Sequence, residues 1–305
     1  MAQRRAILNK KKATQKIRKI TNAMAIIASG RLQRLRKRLL AAEPYVNKLH
    51  EMVEALAENV RDLDHPLLRQ ASVKDSAGCA AFLVITSTRG LAGAYNSNVL
   101  RMASDSIREW ESGGHSVELY VKGKKGASYF AFRKRPMARR FDSLGEMPTN
   151  ADMAEAAMWF IDRFCSGKID MLKVAYSKFM SIGDCRPALV TLLPTRAKRE
   201  TAANASQAST LTGQFKSAVG YEFSPDPSDL LGELLPLAVQ SDLRQCLLNA
   251  ATSESAARRV AMTRATASAD KLSRSLSLRY NRARQDHITT ELMDIIGATE
   301  AFRNR

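Results

Sequence analysis

From Leu237 to Ile296 the chain contains neither glycine nor proline, and Ala, Leu, Arg, Gln and Ser fill most positions. At about 1.5 Å per residue, such a run forms one continuous helix roughly 90 Å long. A helix of that length is held in water by packing an apolar face rather than by propensity, so it requires a partner. The opposite end of the chain supplies one. From Leu32 the apolar positions run Leu32, Leu35, Leu39, Ala42, Val46, Leu49, Val53, Leu56, Val60 and Leu63, in alternating steps of three and four. That is the seam of a left-handed coiled coil. Upstream, Ile17, Ile20, Met24 and Ile27 keep the same period, and a one-residue slip across Ala28-Ser29-Gly30-Arg31 predicts a local change of supercoil. The C-terminal seam is read at Ala257, Ala261, Ala265, Ala269, Leu272, Leu276, Tyr280 and Ala283, mostly small residues that let two backbones approach closely.

The first helix is expected from near Arg4 to about Leu63, ended by Asp64-His65-Pro66, with Pro44 off the seam and therefore a kink rather than a break. Between the helices, Cys79 to Thr86 reads as a strand, about Asn96 to Glu111 as a helix closed by Gly113-Gly114, and Ser116 to Val121 as a second strand. Lys122-Gly123-Lys124-Lys125-Gly126 reads as a basic loop, Asp152 to Cys165 as a helix, and Met171 to Tyr176 and Ala188 to Leu193 as strands. The expected fold class is α/β: a long antiparallel coiled coil of N- and C-terminal helices plus a small Rossmann-like α/β middle domain. The expected domains are residues 1–66, the N-terminal coiled-coil helix; 67–227, the middle domain with a mobile Ala/Ser/Thr-rich loop at 196–220; and 228–305, the C-terminal coiled-coil helix.

The formal charge is +18, and its placement matters more than its size. Residues 1–42 hold 13 Lys/Arg and no acid, and Arg258 to Arg284 hold eight basic residues against Asp270 alone, so the charge lies on the helical pair. A basic, acid-free start also suits an organelle leader, but the heptad period already running through it argues for a structural helix. No stretch approaches the roughly 18 apolar residues of a membrane span. Cys79, Cys165, Cys185 and Cys246 are scattered singly and fit free thiols in a reducing compartment.

The turn Gly90-Leu91-Ala92-Gly93 after a strand invites a nucleotide-binding reading, yet it lacks the third glycine of a dinucleotide fingerprint and the Gly-Lys-Ser/Thr of a phosphate loop. His50, His65, His115 and His287 fall in different elements, and no nucleophile motif such as Gly-x-Ser-x-Gly appears. No catalytic residue, cofactor or metal site is expected. Nucleic-acid binding by the basic helices is the alternative their charge suggests, but aromatics are only 6% of the chain and almost absent from those helices. A positive rod meeting an acidic protein surface remains.

Three stretches together resemble one family, the γ subunit of F-type ATP synthases. They are Ala13 to Met24 continuing to Ala28-Ser29-Gly30-Arg31-Leu32; Ile85-Thr86-Ser87-Thr88-Arg89-Gly90-Leu91-Ala92-Gly93-Ala94-Tyr95-Asn96; and Ser253-Glu254-Ser255-Ala256-Ala257-Arg258 through Tyr280-Asn281-Arg282-Ala283-Arg284-Gln285 to Ile288-Thr289-Thr290-Glu291-Leu292. The chain departs from the family at Thr88, usually Asp, and Ala92, usually Cys, and it lacks the regulatory cysteine pair of the chloroplast type. The resemblance implies a non-catalytic central-stalk rotor of a proton-translocating ATP synthase. Its implied partners are a hexamer of α and β subunits, small δ/ε-type central-stalk subunits and the membrane c-ring. It would be peripheral to the mitochondrial inner membrane on the matrix side, or alternatively to the cytoplasmic face of a bacterial plasma membrane. The resemblance also implies contacts with β at Arg284 and Gln285, with Thr289 and Glu291 nearby, and at Met24 and Arg89. Met24 is equally readable as a seam residue.

Overall fold

The computed structural model describes residues 2–59, 65–68, 78–142, 144–146, 149–195 and 227–303. The loop at 196–220 and the expected end of the first helix at 60–63 lie outside the described residues. Two helices take up much of the chain: α1, Ala2–Asn59, of 58 residues, and α5, Pro227–Arg303, of 77. Pro44 lies within α1 on an exposed position, so the helix loses one ladder donor and continues.

Burial along α1 corrects the expected seam. Thr14, Thr21, Ala28, Leu35, Leu49 and Leu56 are buried, and the partly buried Ala42 completes a series spaced by seven. Leu32, Val46 and Val53 fill the second heptad position. The seam is unbroken, and no slip occurs across residues 28–31. Ile17, Ile20 and Ile27 are instead 55%, 55% and 62% exposed, and Met24 is 37% exposed. They form a second stripe about 100° round the helix from the seam, the turn made by one residue.

Contacts divide the chain into two compact units, Met1–Leu32 with Leu91–Gly93 and Ser255–Arg305, and Gln33–Gly90 with Ala94–Glu254. In the first, α1 and α5 run antiparallel, with Arg18 Nη1 2.8 Å from Asp270 Oδ1 and the Thr21 and Thr266 hydroxyls sharing a hydrogen bond of 2.8 Å. On α5, Met262, Ala269 and Leu276 are buried, and Thr266, Ser273, Tyr280 and Ala283 are partly buried between them. Leu272, read as a seam residue, is 52% exposed, and Met262 rather than Ala261 is the buried position. Thr and Ser occupy seam positions because short side chains suit a close contact and their hydroxyls find carbonyl acceptors. Thr14 donates to the Lys10 carbonyl and Thr266 to that of Met262, each at 2.9 Å.

The second unit holds a five-stranded sheet. Its strands are β1, Cys79–Ile85; β2, Ser116–Lys122; β3, Arg139–Arg140; β4, Met171–Phe179; and β5, Cys185–Leu193. They lie in the order β3-β2-β1-β4-β5, all parallel except β5, which pairs antiparallel with β4. Three helices accompany them: α2, Tyr95–Ser112; α3, Lys124–Phe132; and α4, Asn150–Cys165. The stretch read as a basic loop at 122–126 instead ends β2 and begins α3, and neither α3 nor β3 is expected from the sequence pattern.

β1 is an unbroken apolar run because both faces of the sheet are covered. Its alternate residues Ala80, Phe82 and Val84 join a cluster with Val99, Ala103 and Ile107 of α2 and Phe130 of α3. Ala81, Leu83 and Ile85 join a larger cluster with Phe160 and Phe164 of α4, Leu49, Val53 and Leu56 of α1, and Leu231, Leu235, Leu243 and Leu247 of α5. Thr149 and Asp152 form a reciprocal capping box that starts α4.

Candidate partner-contact surfaces

The turn after β1 is shaped by side-chain hydrogen bonds. The Ser87 hydroxyl donates to the Arg89 carbonyl at 2.7 Å and accepts from the Asn96 amide at 2.8 Å, while Asn96 Oδ1 accepts from the Ser87 N–H at 3.0 Å. Thr86 ties the turn to β2: its N–H and hydroxyl both donate to the Lys122 carbonyl at 2.8 Å, and its hydroxyl oxygen accepts from the Gly126 N–H at 2.9 Å. Gly123 has φ +98°, and a Cβ there would meet the Thr86 carbonyl oxygen at 2.3 Å, so only glycine fits. Leu91, at φ 64° and 60% exposed, holds a conformation that costs a branched side chain free energy. A Cβ at Gly93 would lie 3.8 Å from the Ala261 Cβ, an ordinary contact, so it is the φ of +57° that favours glycine there.

Charge is arranged around the base of this turn. Arg89 Nε lies 2.8 Å from Glu146 Oε1, with the arginine side chain 74% exposed and the glutamate 16%. Lys122, the last residue of β2, is 2% exposed, and Glu254 of α5 is 4% exposed. Burial pushes the Lys122 ammonium below its ordinary pKa, and Glu254 and then Glu146 oppose that shift.

On α1 the outward stripe carries Ile17, Ile20, Met24 and Ile27 among exposed lysines at positions 16 and 19. Following the antiparallel register back from Arg18 and Asp270, with equal rise on both helices, Ala2 lies opposite about residue 286 of α5. The remainder of α5 extends past α1 and bears Ile288, Leu292, Met293, Ile295 and Ile296, which are 45–65% exposed. Arg284 and Gln285 sit at the end of the paired region, and Thr289 and Glu291 lie beyond it; all four are exposed, and Glu291 pairs with His287 at 3.2 Å. Contiguous exposed apolar surface of this kind marks a site of association.

Residues 3–302 match the family model described as ATP synthase. A chain named ATP synthase gamma chain from Rhodopirellula baltica is 36% identical over 99% of both chains, and one of the same name from Synechococcus sp. strain JA-3-3Ab is 34% identical over 99% of this chain and all of that one. This chain belongs to the ATP synthase γ chain family. The fold agrees with that of chains in solved ATP synthases. A chain in the Euglena gracilis mitochondrial ATP synthase, solved as OSCP, F1 and c-ring, superposes with a TM-score of 0.63 at 19% identity, covering 99% of this chain and 95% of that one. A chain in the Tetrahymena thermophila mitochondrial central stalk and c-ring gives 0.56 at 18% identity, covering 81% and 99%.

For a γ-family chain the placement of the expected contact residues is informative. Met24, Arg284, Gln285, Thr289 and Glu291 belong to one compact unit and Arg89 to the other. Met24 is off the intrachain seam, which removes the packing explanation for it. The sequence pattern misses Glu146, Lys122 and Glu254. The one available signal is a lysine directly after Leu119-Tyr120-Val121, and its burial depends on carboxylates far along the chain. Among the described residues no group of His, Cys, Asp and Glu is placed to hold a metal ion, no helix is long and apolar enough to cross a membrane, and Cys79, Cys165, Cys185 and Cys246 are free.

Proposed function

We propose that this chain is the central rotor of an ion-translocating F-type ATP synthase, coupling rotation of a membrane c-ring to ATP synthesis and hydrolysis at the β subunits. Its own role is non-catalytic. Residues 1–66 and 228–305 form the shaft inside a hexamer of α and β subunits, and 67–227 form the body that meets the c-ring and small δ/ε-type subunits. Met24, Arg89, Arg284, Gln285, Thr289 and Glu291 are the contacts with β, and the coupling ion is the proton.

The observation that carries this reading is the apolar surface left exposed on both terminal helices: Ile17, Ile20, Met24 and Ile27 on α1, and Ile288 to Ile296 on α5. A solvated two-helix rod has no use for two such stripes, whereas a shaft seated in a protein collar buries them. A pair of helices also has no three-fold symmetry. Three otherwise identical β subunits around it meet three different faces, so their sites differ in affinity, and turning the shaft passes each affinity to the next site.

We place the complex at the inner face of an energy-coupling membrane, the mitochondrial matrix side. The cytoplasmic face of a bacterial membrane is the second reading, favoured by 34–36% identity to bacterial γ chains. The test is native mass analysis of the complex purified in mild detergent through a tag on this chain, with an ATPase assay. Three α, three β and one copy of this chain, with hydrolysis, are expected; a lone chain or a nucleic-acid complex overturns the proposal.

A further inference from the structure

The ion pair between Arg89 and Glu146 joins an exposed cation to a largely buried anion. Lys122 and Glu254 are both nearly fully buried. The Lys122 ammonium interacts electrostatically with Glu254 and, more weakly, with the same Glu146 that pairs with Arg89. If the guanidinium leaves, Lys122 still faces Glu146, so the glutamate does not become an isolated buried charge. An arrangement with a second, internal cation lets Arg89 detach at small cost. Arg89 itself is held at its backbone by the Ser87 hydroxyl, so its side chain swings from a fixed point.

We infer that Glu146 is a positioning residue for Arg89, an internal competitor that holds the guanidinium between encounters and releases it to a carboxylate of the β subunit. The inference rests on the proposed contact of Arg89 with β. An exchange between two carboxylates keeps the contact reversible, as a rotor needs: each capture gains only the difference between two similar ion pairs. A contact with no internal competitor holds more tightly and is released more slowly.

The test uses the assembled complex. Glu146→Gln removes the competing charge but keeps a hydrogen-bond acceptor, and it is expected to lower kcat for ATP hydrolysis about two- to fivefold, the scale of one exposed ion pair, with KM for ATP unchanged. Glu146→Asp, which keeps the charge for Lys122 but withdraws it by one methylene, gives a smaller change of the same sign and serves where the Gln variant fails to assemble. In an Arg89→Ala background neither substitution has a further effect, because the competition has lost its object. If the Glu146 effect persists undiminished in that background, Glu146 acts through the fold and the inference fails alone. If Arg89→Ala is itself silent in coupled turnover, the contact with β fails and this inference with it.

Discussion

Placing a lysine at Met24 and at Ala28 separates the exposed edge of the α1 seam from its interior, since the two positions are one helical turn apart but differ in burial. Ala28 is 4% exposed and lies in the antiparallel contact. A lysine there forces a four-carbon stem into a gap filled by one methyl group, an overpacking of about 1–3 kcal/mol. The ammonium adds a desolvation cost that snorkelling relieves only in part, bringing the total to about 3 kcal/mol or more. Met24 is 37% exposed. Its substitution by lysine keeps most of the aliphatic stem on the surface and leaves the charge in water, a change within about 1 kcal/mol. In thermal melts of the full chain followed by helical circular dichroism, Met24→Lys should move the midpoint by about 2–4 °C at most and Ala28→Lys by several times more. In the assembled complex Met24→Lys places a cation toward β and should reduce ATP-driven ion pumping per ATP hydrolysed. Equal loss of helical stability from the two variants would falsify the placement of Met24 outside the buried seam.

Arg284→Ala with Gln285→Ala, at exposed positions where the paired region of α5 ends, should lower coupled turnover and leave the melting curve within about 1 kcal/mol of wild type; unchanged ATPase and pumping in assembled complexes refute the contact. Gly126→Ala puts a Cβ 2.6 Å from Thr86 Oγ1 and 2.9 Å from Val121 Cγ1, at the junction that carries Lys122. A loss of about 1–3 kcal/mol is expected in urea unfolding, against no measurable loss for Gly145→Ala, where nothing lies within 4 Å of the added atom. Equal stability of the two glycine variants refutes the close approach of α3 to the turn.

The long helices are legible because their signals are local: a run without helix breakers, and apolar residues recurring with the helical period. The strand Cys79–Ile85 and the Ala188–Leu193 part of β5 are legible for a similar reason, each a mainly apolar run, whereas the opening Cys185-Arg186-Pro187 of β5 is missed because it carries a charge and a proline. α3 is missed because Gly123 and Gly126 read as loop residues, whereas Gly126 is a packing glycine inside the first turn of a helix. Lys122 is misread for a deeper reason. A lysine beside a glycine turn is ordinarily solvated, and only the arrival of Glu254 and Glu146 makes its burial tolerable.

The seam shows where sequence stops and tertiary structure begins. Hydrophobic period alone reads Ile17-to-Ile27 and Leu32-to-Leu56 as one seam with a slip between them, because an apolar stripe carries no label for what covers it. The sequence by itself determined the two helices, their period, the α/β character of the middle and the basic charge of the ends, all consequences of neighbouring residues. Only the tertiary structure decided that Thr14, Thr21 and Ala28 meet α5 while Ile17, Ile20 and Met24 face outward, because closeness of approach is a property of two surfaces together. Short side chains won the intrachain contact, and the larger apolar ones were left outside it.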